Sequence, residues 1–144
     1  MTKTTLFAIL SGIPSVLYAL FHDMNASATD VPLKITQRKV LIIIETLEGA
    51  TMTHISHMAG LKKGSFTSVA DSLIEAGYVE RGEDPADRRK VILRLTPEGK
   101  AVARRIINRI ELHLENKLSR LEPSQRRELM NAFMVLSRYA DRLK

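Results

Sequence analysis

The chain contains no cysteine and no tryptophan, and aromatic residues make up only 5% of its 144 positions. Without cysteine there is no disulfide framework, no thiolate zinc site and no thiol-based oxidant switch. The scarcity of aromatics gives little sign of a large flat ligand. A Gly-rich phosphate loop, a nucleophile elbow and a serine, histidine and carboxylate arrangement are all missing, so the chain does not read as an enzyme and no cofactor is expected. Long hydrophobic runs are also scarce. Leu6 to Phe21 is mostly apolar, follows Lys3 and precedes Ala26-Ser27-Ala28, the outline of a secretory signal. Gly12 and Pro14 interrupt that run, His22-Asp23 follow it, and it falls short of the roughly 20 apolar residues a membrane span needs. The preferred reading is a helix buried in a subunit interface, with Phe7, Leu10, Leu17, Leu20 and Phe21 facing other helices and a kink or joint near Pro14. A cytoplasmic protein with no membrane partner is therefore expected.

What the chain does have is positive charge, formally +6, which suits a polyanionic partner without distinguishing DNA, RNA and anionic membranes. Its length is that of a single domain. The most informative stretch is Asp84-Pro85-Ala86-Asp87-Arg88-Arg89-Lys90, a charged loop between two strand-like runs, Tyr78-Val79-Glu80-Arg81 and Val91-Ile92-Leu93-Arg94-Leu95. Such a hairpin carries three consecutive cations on a protruding tip, where a guanidinium can enter a DNA groove. Asp87, two residues before Arg89, is placed to hold that guanidinium in a bidentate pair.

Thr51 to Gly77 reads as two short helices around the joint Ala59-Gly60-Leu61. Thr51 or Thr53 caps the first, and Gly60 supplies the left-handed residue that ends it. The second runs from about Lys63 to Ala76, with Phe66, Val69, Ala70, Leu73 and Ile74 as its apolar stripe and Gly77 just past its end. Lys63, Ser65, Thr67, Ser68, Asp71 and Ser72 occupy the other face. Short hydroxyl side chains near a helix N-terminus let the backbone approach DNA closely. Helix, turn, helix, strand, basic loop, strand is the layout of a winged helix-turn-helix.

Gly60-Leu61, Ser65-Phe66-Thr67, the run from Asp71 to Arg81, Asp84-Pro85-Ala86-Asp87-Arg88-Arg89 and Leu95-Thr96-Pro97-Glu98-Gly99 together resemble the MarR (multiple antibiotic resistance regulator) family of bacterial transcription regulators, most strongly over residues 35 to 100. The chain departs from the family at Lys62, where a serine commonly caps the recognition helix, and at Gly64, a nearby small hydroxyl position. Both changes remove a possible side-chain contact, while Lys62 and Lys63 offer phosphate charge in return. The resemblance implies a mainly helical fold with a small β-hairpin wing. Residues 35 to 96 form the DNA-binding lobe, and 1 to 30 with 97 to 144 form a helical dimerisation region, all within one MarR-like domain.

Thr96-Pro97-Glu98 is a strong helix start, after which Val102, Ile106, Ile110, Leu114 and Leu118 recur every fourth residue. Pro123 begins another helix, carrying Leu129, Phe133, Leu136, Ala140 and Leu143. Stripes this far from a domain core need a partner, so two subunits are expected to interdigitate. A two-fold dimer matches a pseudo-palindromic site with recognition helices about 34 Å apart. The expected function is a ligand-responsive regulator, usually a repressor. Lys63, Ser65, Thr67 and Ser68 enter the major groove and Arg89 the minor groove, while Lys62, Arg88 and Lys90 meet phosphates. The resemblance places the effector, perhaps anionic or phenolic, at the junction of the first, second and fifth helices, with Leu17, Phe21, Arg38 and Arg105 as candidates. The competing reading is a winged-helix adaptor that binds protein.

Two further clusters carry less. His54 and His57 lie one helical turn apart, but no neighbouring acid completes a metal set, and a solvated pair is expected. His22-Asp23 and His113 are candidates to meet across a subunit boundary. Glu45 and Glu48 form a pair at helical spacing on the second helix, read as solvated or salt-bridged.

Overall fold

The computed structural model describes residues 3–24 and 31–143, so the small-residue run Ala26-Ser27-Ala28 lies outside it. In chain order the elements are α1 (Lys3–Phe21), α2 (Ile35–Thr46), α3 (Met52–Ala59), α4 (Lys63–Glu75), β1 (Val79–Glu83), β2 (Val91–Leu95), α5 (Pro97–Leu118) and α6 (Pro123–Ala140), with a closing 3-10 turn at Asp141–Leu143. They form two compact units, residues 25–109 and residues 1–24 with 110–144.

The first unit is a winged helix-turn-helix. Thr51 rather than Thr53 caps α3, its hydroxyl accepting from the His54 amide at 3.3 Å. Gly60, at φ 67°, ends α3, with the Gly60 and Leu61 amides donating to the carbonyls of His57 and Ser56. The Ser56 hydroxyl donates to the Leu61 carbonyl at 3.0 Å and closes the joint. The α4 helix ends the same way: Gly77, at φ 78°, and Tyr78 donate to the carbonyls of Ile74 and Leu73. β1 and β2 pair antiparallel with Val79 opposite Leu95 and Glu83 opposite Val91, and Thr51 adds a single bridge to Ile92.

The core of this unit is built by the helical and strand periodicities meeting. Val40, Leu41 and Ile44 of α2, Ile55 of α3, Phe66, Ala70 and Leu73 of α4, Ile92 and Leu93 of β2, and Val102 and Ile106 of α5 are all buried. Val69 and Ile74, placed on the same α4 stripe by spacing, are half-buried at its margins. Glu48 is not on α2, which ends at Thr46. Its spacing from Glu45 continues a helix that the chain leaves through Leu47 and the left-handed Gly49. Glu45 instead faces the Arg104 guanidinium, 3.8 Å away.

A knot at the start of α5 fixes where the wing sits. The Thr96 hydroxyl donates to the Gly77 carbonyl at 2.6 Å and accepts from the Gly99 amide at 3.0 Å, while the Thr96 amide donates to the Tyr78 carbonyl at 3.0 Å. Gly99 is buried against that same peptide, and a Cβ there would lie 1.9 Å from the Tyr78 carbonyl oxygen. The glycine of the Leu-Thr-x-x-Gly run is therefore required by close backbone approach, not by its φ.

In the second unit, α1 is one continuous helix through Pro14, so the sequence-based joint there is not formed. His113, Asp23 and Lys117 cluster within one chain. The Lys117 ammonium meets one Asp23 carboxylate oxygen at 2.9 Å, and His113 Nε2 lies 3.2 Å from the other and 3.0 Å from the Leu20 carbonyl. Arg126 of α6 pairs with Glu115 of α5 at 2.7 Å. The apolar stripe of this unit is largely uncovered in the single chain: Phe7 is 75% exposed, Leu10 50%, Leu136 52% and Leu143 86%. Among the described residues no helix is long and apolar enough to cross a membrane.

Two outcomes are expected. Gly99→Ala forces the wing away from α5 and lowers the free energy of unfolding by about 3 kcal/mol. Gly82→Ala, whose Cβ would meet only side chains, Ile92 at 3.4 Å and Arg94 at 3.7 Å, changes it by less than about 1 kcal/mol, both variants being read by denaturant titration. The hydrogen bond from Lys117 holds the Asp23 carboxyl below its ordinary value of 3.8. That contribution to stability is present above pH 3.8 and is lost as pH falls through the lowered value. In Lys117→Met the Asp23 titration, followed by NMR, moves back up toward 3.8.

Candidate nucleic-acid interface

Two features of the winged unit present cations and backbone amides to solvent. The first is the N-terminal half of α4. Lys62 stands in extended conformation before it and makes no side-chain cap, so the first amides of the helix keep their donors for another acceptor. Lys62, Lys63, Gly64, Ser65 and Ser68 are exposed around that end. Thr67 is half-buried and its hydroxyl donates to the Lys63 carbonyl at 2.9 Å, which leaves it only lone pairs to offer a ligand. Ser72 turns inward: its hydroxyl donates to the Val69 carbonyl at 2.7 Å and accepts from Gln37 Nε2 at 3.0 Å. The Gln37 amide oxygen in turn accepts from the Lys34 amide at the start of α2, at 2.7 Å. The far end of α4 is thereby tied to α2.

The second feature is the wing loop, which two aspartates organise. The Asp84 carboxylate accepts from the Ala86 amide at 2.8 Å and the Asp87 carboxylate from the Arg89 amide at 3.1 Å, each a two-residue Asx turn. The Asp84 amide donates to the Lys90 carbonyl at 3.2 Å and the Lys90 amide to the Asp87 carbonyl at 2.9 Å, closing the loop on itself. Asp87 does not clamp Arg89 in a bidentate fork as its spacing predicts. One oxygen, Oδ1, takes both the Arg89 amide and, at 3.4 Å, Arg89 Nε, because the backbone turn has already claimed it. The Arg89 side chain stays 93% exposed, with Arg88 and Lys90 exposed beside it.

Between the wing and the start of α3 lies a groove of about 500 Å³, lined by Thr51, Met52, Thr53, Arg89, Lys90 and Val91. Helix amides, threonine hydroxyls and two cations converge there, a combination suited to phosphate oxygens. A second groove of about 380 Å³ between the end of α2, the strands and α5 mixes Glu45, Glu48 and Glu80 with Arg94, Lys100 and Arg104, and its balance of charge does not favour a polyanion.

Sequence reasoning missed two connections. The carboxylate of Asp71 on α4 accepts from Arg81 Nη2 of β1 at 2.5 Å, and Gln37 reaches Ser72 as described. A helix acid ten residues before a strand arginine, across a glycine turn, is the signal that points to the first. No local pattern marks the second.

The remaining candidates fall in both units. Leu17 and Phe21 lie exposed on α1 in one unit, while Arg38 on α2 and Arg105 on α5 belong to the other. Arg105 is exposed, and Arg38 Nη2 donates to the Val31 carbonyl at 3.2 Å. His54 and His57 are exposed on α3, and no group of three or more His, Asp or Glu is placed to hold a metal among the described residues.

Comparison with known proteins agrees with this geometry. The MarR family profile matches residues 33–91, which run from the start of α2 through the wing loop. The uncharacterised HTH-type transcriptional regulator YfiV of Bacillus subtilis is 26% identical over 144 residues, 94% of this chain and 90% of its own. The multiple antibiotic resistance protein MarR of Salmonella typhimurium is 28% identical over 97 residues, 67% of either chain. Among solved structures, a MarR family protein from Bacillus stearothermophilus superposes with a TM-score of 0.80 at 18% identity, covering 98% of this chain and 99% of that one. The PcaV transcriptional regulator from Streptomyces coelicolor, solved with its natural ligand, superposes at 0.60 with 25% identity over 94% of this chain and 92% of that one. A helix-turn-helix whose exposed face is basic, a wing held open by two Asx turns and a profile match over both together make the winged unit similar to the MarR family of DNA-binding, winged helix-turn-helix transcription regulators.

Proposed function

We propose that this regulator works as a homodimer on a pseudo-palindromic operator, as a repressor relieved by a small-molecule effector. The observation that carries the dimer is the uncovered apolar surface of the helical unit, which includes Phe7, Leu10, Leu17, Leu112, Leu136 and Leu143. Soluble chains rarely leave so much contiguous apolar surface to water, and a second copy supplies a matching stripe. With two winged units related by a two-fold axis, each α4 N-terminus enters one of two successive major grooves. Lys63, Ser65 and Ser68 face base edges, and Thr67 contributes lone pairs. Lys62, Arg88 and Lys90 meet phosphates, and Arg89, free at the wing tip and backed by Asp87, takes the minor groove. Bound across a promoter, such a dimer excludes polymerase.

The effector half of the proposal is supported by the likeness to PcaV, which binds a natural ligand, and by Arg38. Arg38 Nε is buried without a hydrogen-bond partner among the described residues, a donor suited to a carboxylate or phenolate. A ligand that binds better to one spacing of the two winged units than to the other shifts the population between them.

The deciding experiment is fluorescence-anisotropy titration of DNA adjoining the protein's own coding region, across a salt series and against scrambled DNA. Selective, steeply salt-dependent binding supports the operator reading, whereas equal, salt-insensitive binding favours a protein-binding adaptor. In that assay Arg89→Ala costs about 1–3 kcal/mol of operator affinity and leaves the melting temperature unchanged. Leu136→Asp weakens self-association by about tenfold or more, read by light scattering, and operator affinity falls with it.

A further inference from the structure

Asp71 raises a physical difficulty for the interface as described. It is an exposed carboxylate on the polar face of α4, one turn beyond Thr67 and Ser68, where approaching phosphates repel it. An acid on a recognition helix has one direct use, accepting from cytosine N4. Here one of its two oxygens is already engaged within the protein, Arg81 Nη2 lying 2.5 Å from Asp71 Oδ1.

The position of Arg81 is as informative. In the ladder it stands opposite Leu93, on the strand face that also carries the buried Val79 and Leu95. Beyond the edge of that core its side chain emerges at the seam between α4 and the wing, half exposed, with one amino group on Asp71 and four further N–H donors on the guanidinium. An exposed ion pair of this kind contributes little to stability, so folding alone does not explain it. The neighbouring residue, Ser72, is anchored to Gln37 on α2, so the rotation of α4 about its own axis is fixed and the carboxylate of Asp71 has a defined direction.

The geometry points to Arg81 as a phosphate contact at the seam between recognition helix and wing, with Asp71 as its positioning residue and not a base reader. The carboxylate holds the guanidinium in one orientation before DNA arrives, and the guanidinium cancels the charge that would otherwise repel the backbone. This rests on the operator binding proposed above and adds a contact between the two surfaces already assigned.

The test uses the full-length protein with operator and scrambled DNA, titrated across a salt series. Arg81→Gln weakens binding to both DNAs by a similar factor of about tenfold and lowers the salt slope by about one. Asp71→Asn removes a negative charge yet weakens operator binding several-fold, about threefold or more, without changing discrimination at any single base pair. Arg81→Lys restores the salt slope but not the full affinity. An unchanged slope in Arg81→Gln overturns the phosphate contact. Tighter binding of both DNAs by Asp71→Asn reduces Asp71 to a repulsive charge, and relaxed preference at one base pair makes it a reader; either result overturns its positioning role. A wild-type protein with no DNA selectivity overturns the operator reading and this proposal with it. Unchanged melting temperatures in all three variants separate these outcomes from misfolding.

Discussion

The placement of the wing depends on a knot of backbone where α5 begins. Two strands and a loop cannot hold a fixed angle to a helix pair by themselves, since a two-stranded hairpin is at best marginally stable in water. Here the Thr96 hydroxyl is shared between the Gly77 carbonyl and the Gly99 amide, the Thr96 amide reaches the Tyr78 carbonyl, and Gly99 lets that peptide lie directly on the helix. One threonine caps α5, binds the turn after α4 and closes the end of the ladder. The direction in which Arg88, Arg89 and Lys90 project follows from that junction and from Leu93 and Leu95 packed beneath the strands.

The same economy organises the charged residues. Asp84 and Asp87 use their carboxylates on backbone amides, shaping the loop and keeping the guanidinium of Arg89 in water. Asp71 is spent on Arg81, and Ser72 on Gln37. Asp71, Asp84 and Asp87 are each engaged locally, so they shape the basic surface more than they subtract from its charge. What remains exposed and uncommitted at the start of α4 and at the wing tip is cationic or hydroxyl-bearing, as binding a polyanion requires.

Much of this was legible from local pattern. Glycines at positions 60 and 77, each after an apolar stripe of helical period, mark helix ends because a left-handed residue is needed there, and both take positive φ. Alternation from Val91 to Leu95 and the threonine, proline and glutamate at 96 to 98 locate the strand and the following helix for equally local reasons. Where spacing alone was used, it failed at points a neighbour controls. Pro14 does not split α1. Glu48 falls past the end of α2, because the chain turns at Gly49. The Asp87 fork gives way to a single shared oxygen, because the backbone amide is a closer donor than the side chain.

The sequence by itself determined the order of elements, their caps, the basic wing and the resemblance to the MarR family, since each depends on residues a few positions apart whose conformational preferences are intrinsic. Tertiary structure alone decided which polar groups are still available. Thr67 and Ser72 lie on the face that spacing assigns to DNA, yet one donates to its own helix and the other binds α2. Arg81, an ordinary strand residue by sequence, is brought to α4 by the turn at Gly77. Periodicity fixes the face a side chain occupies, but its hydrogen-bond partner is set by the element packed beside it.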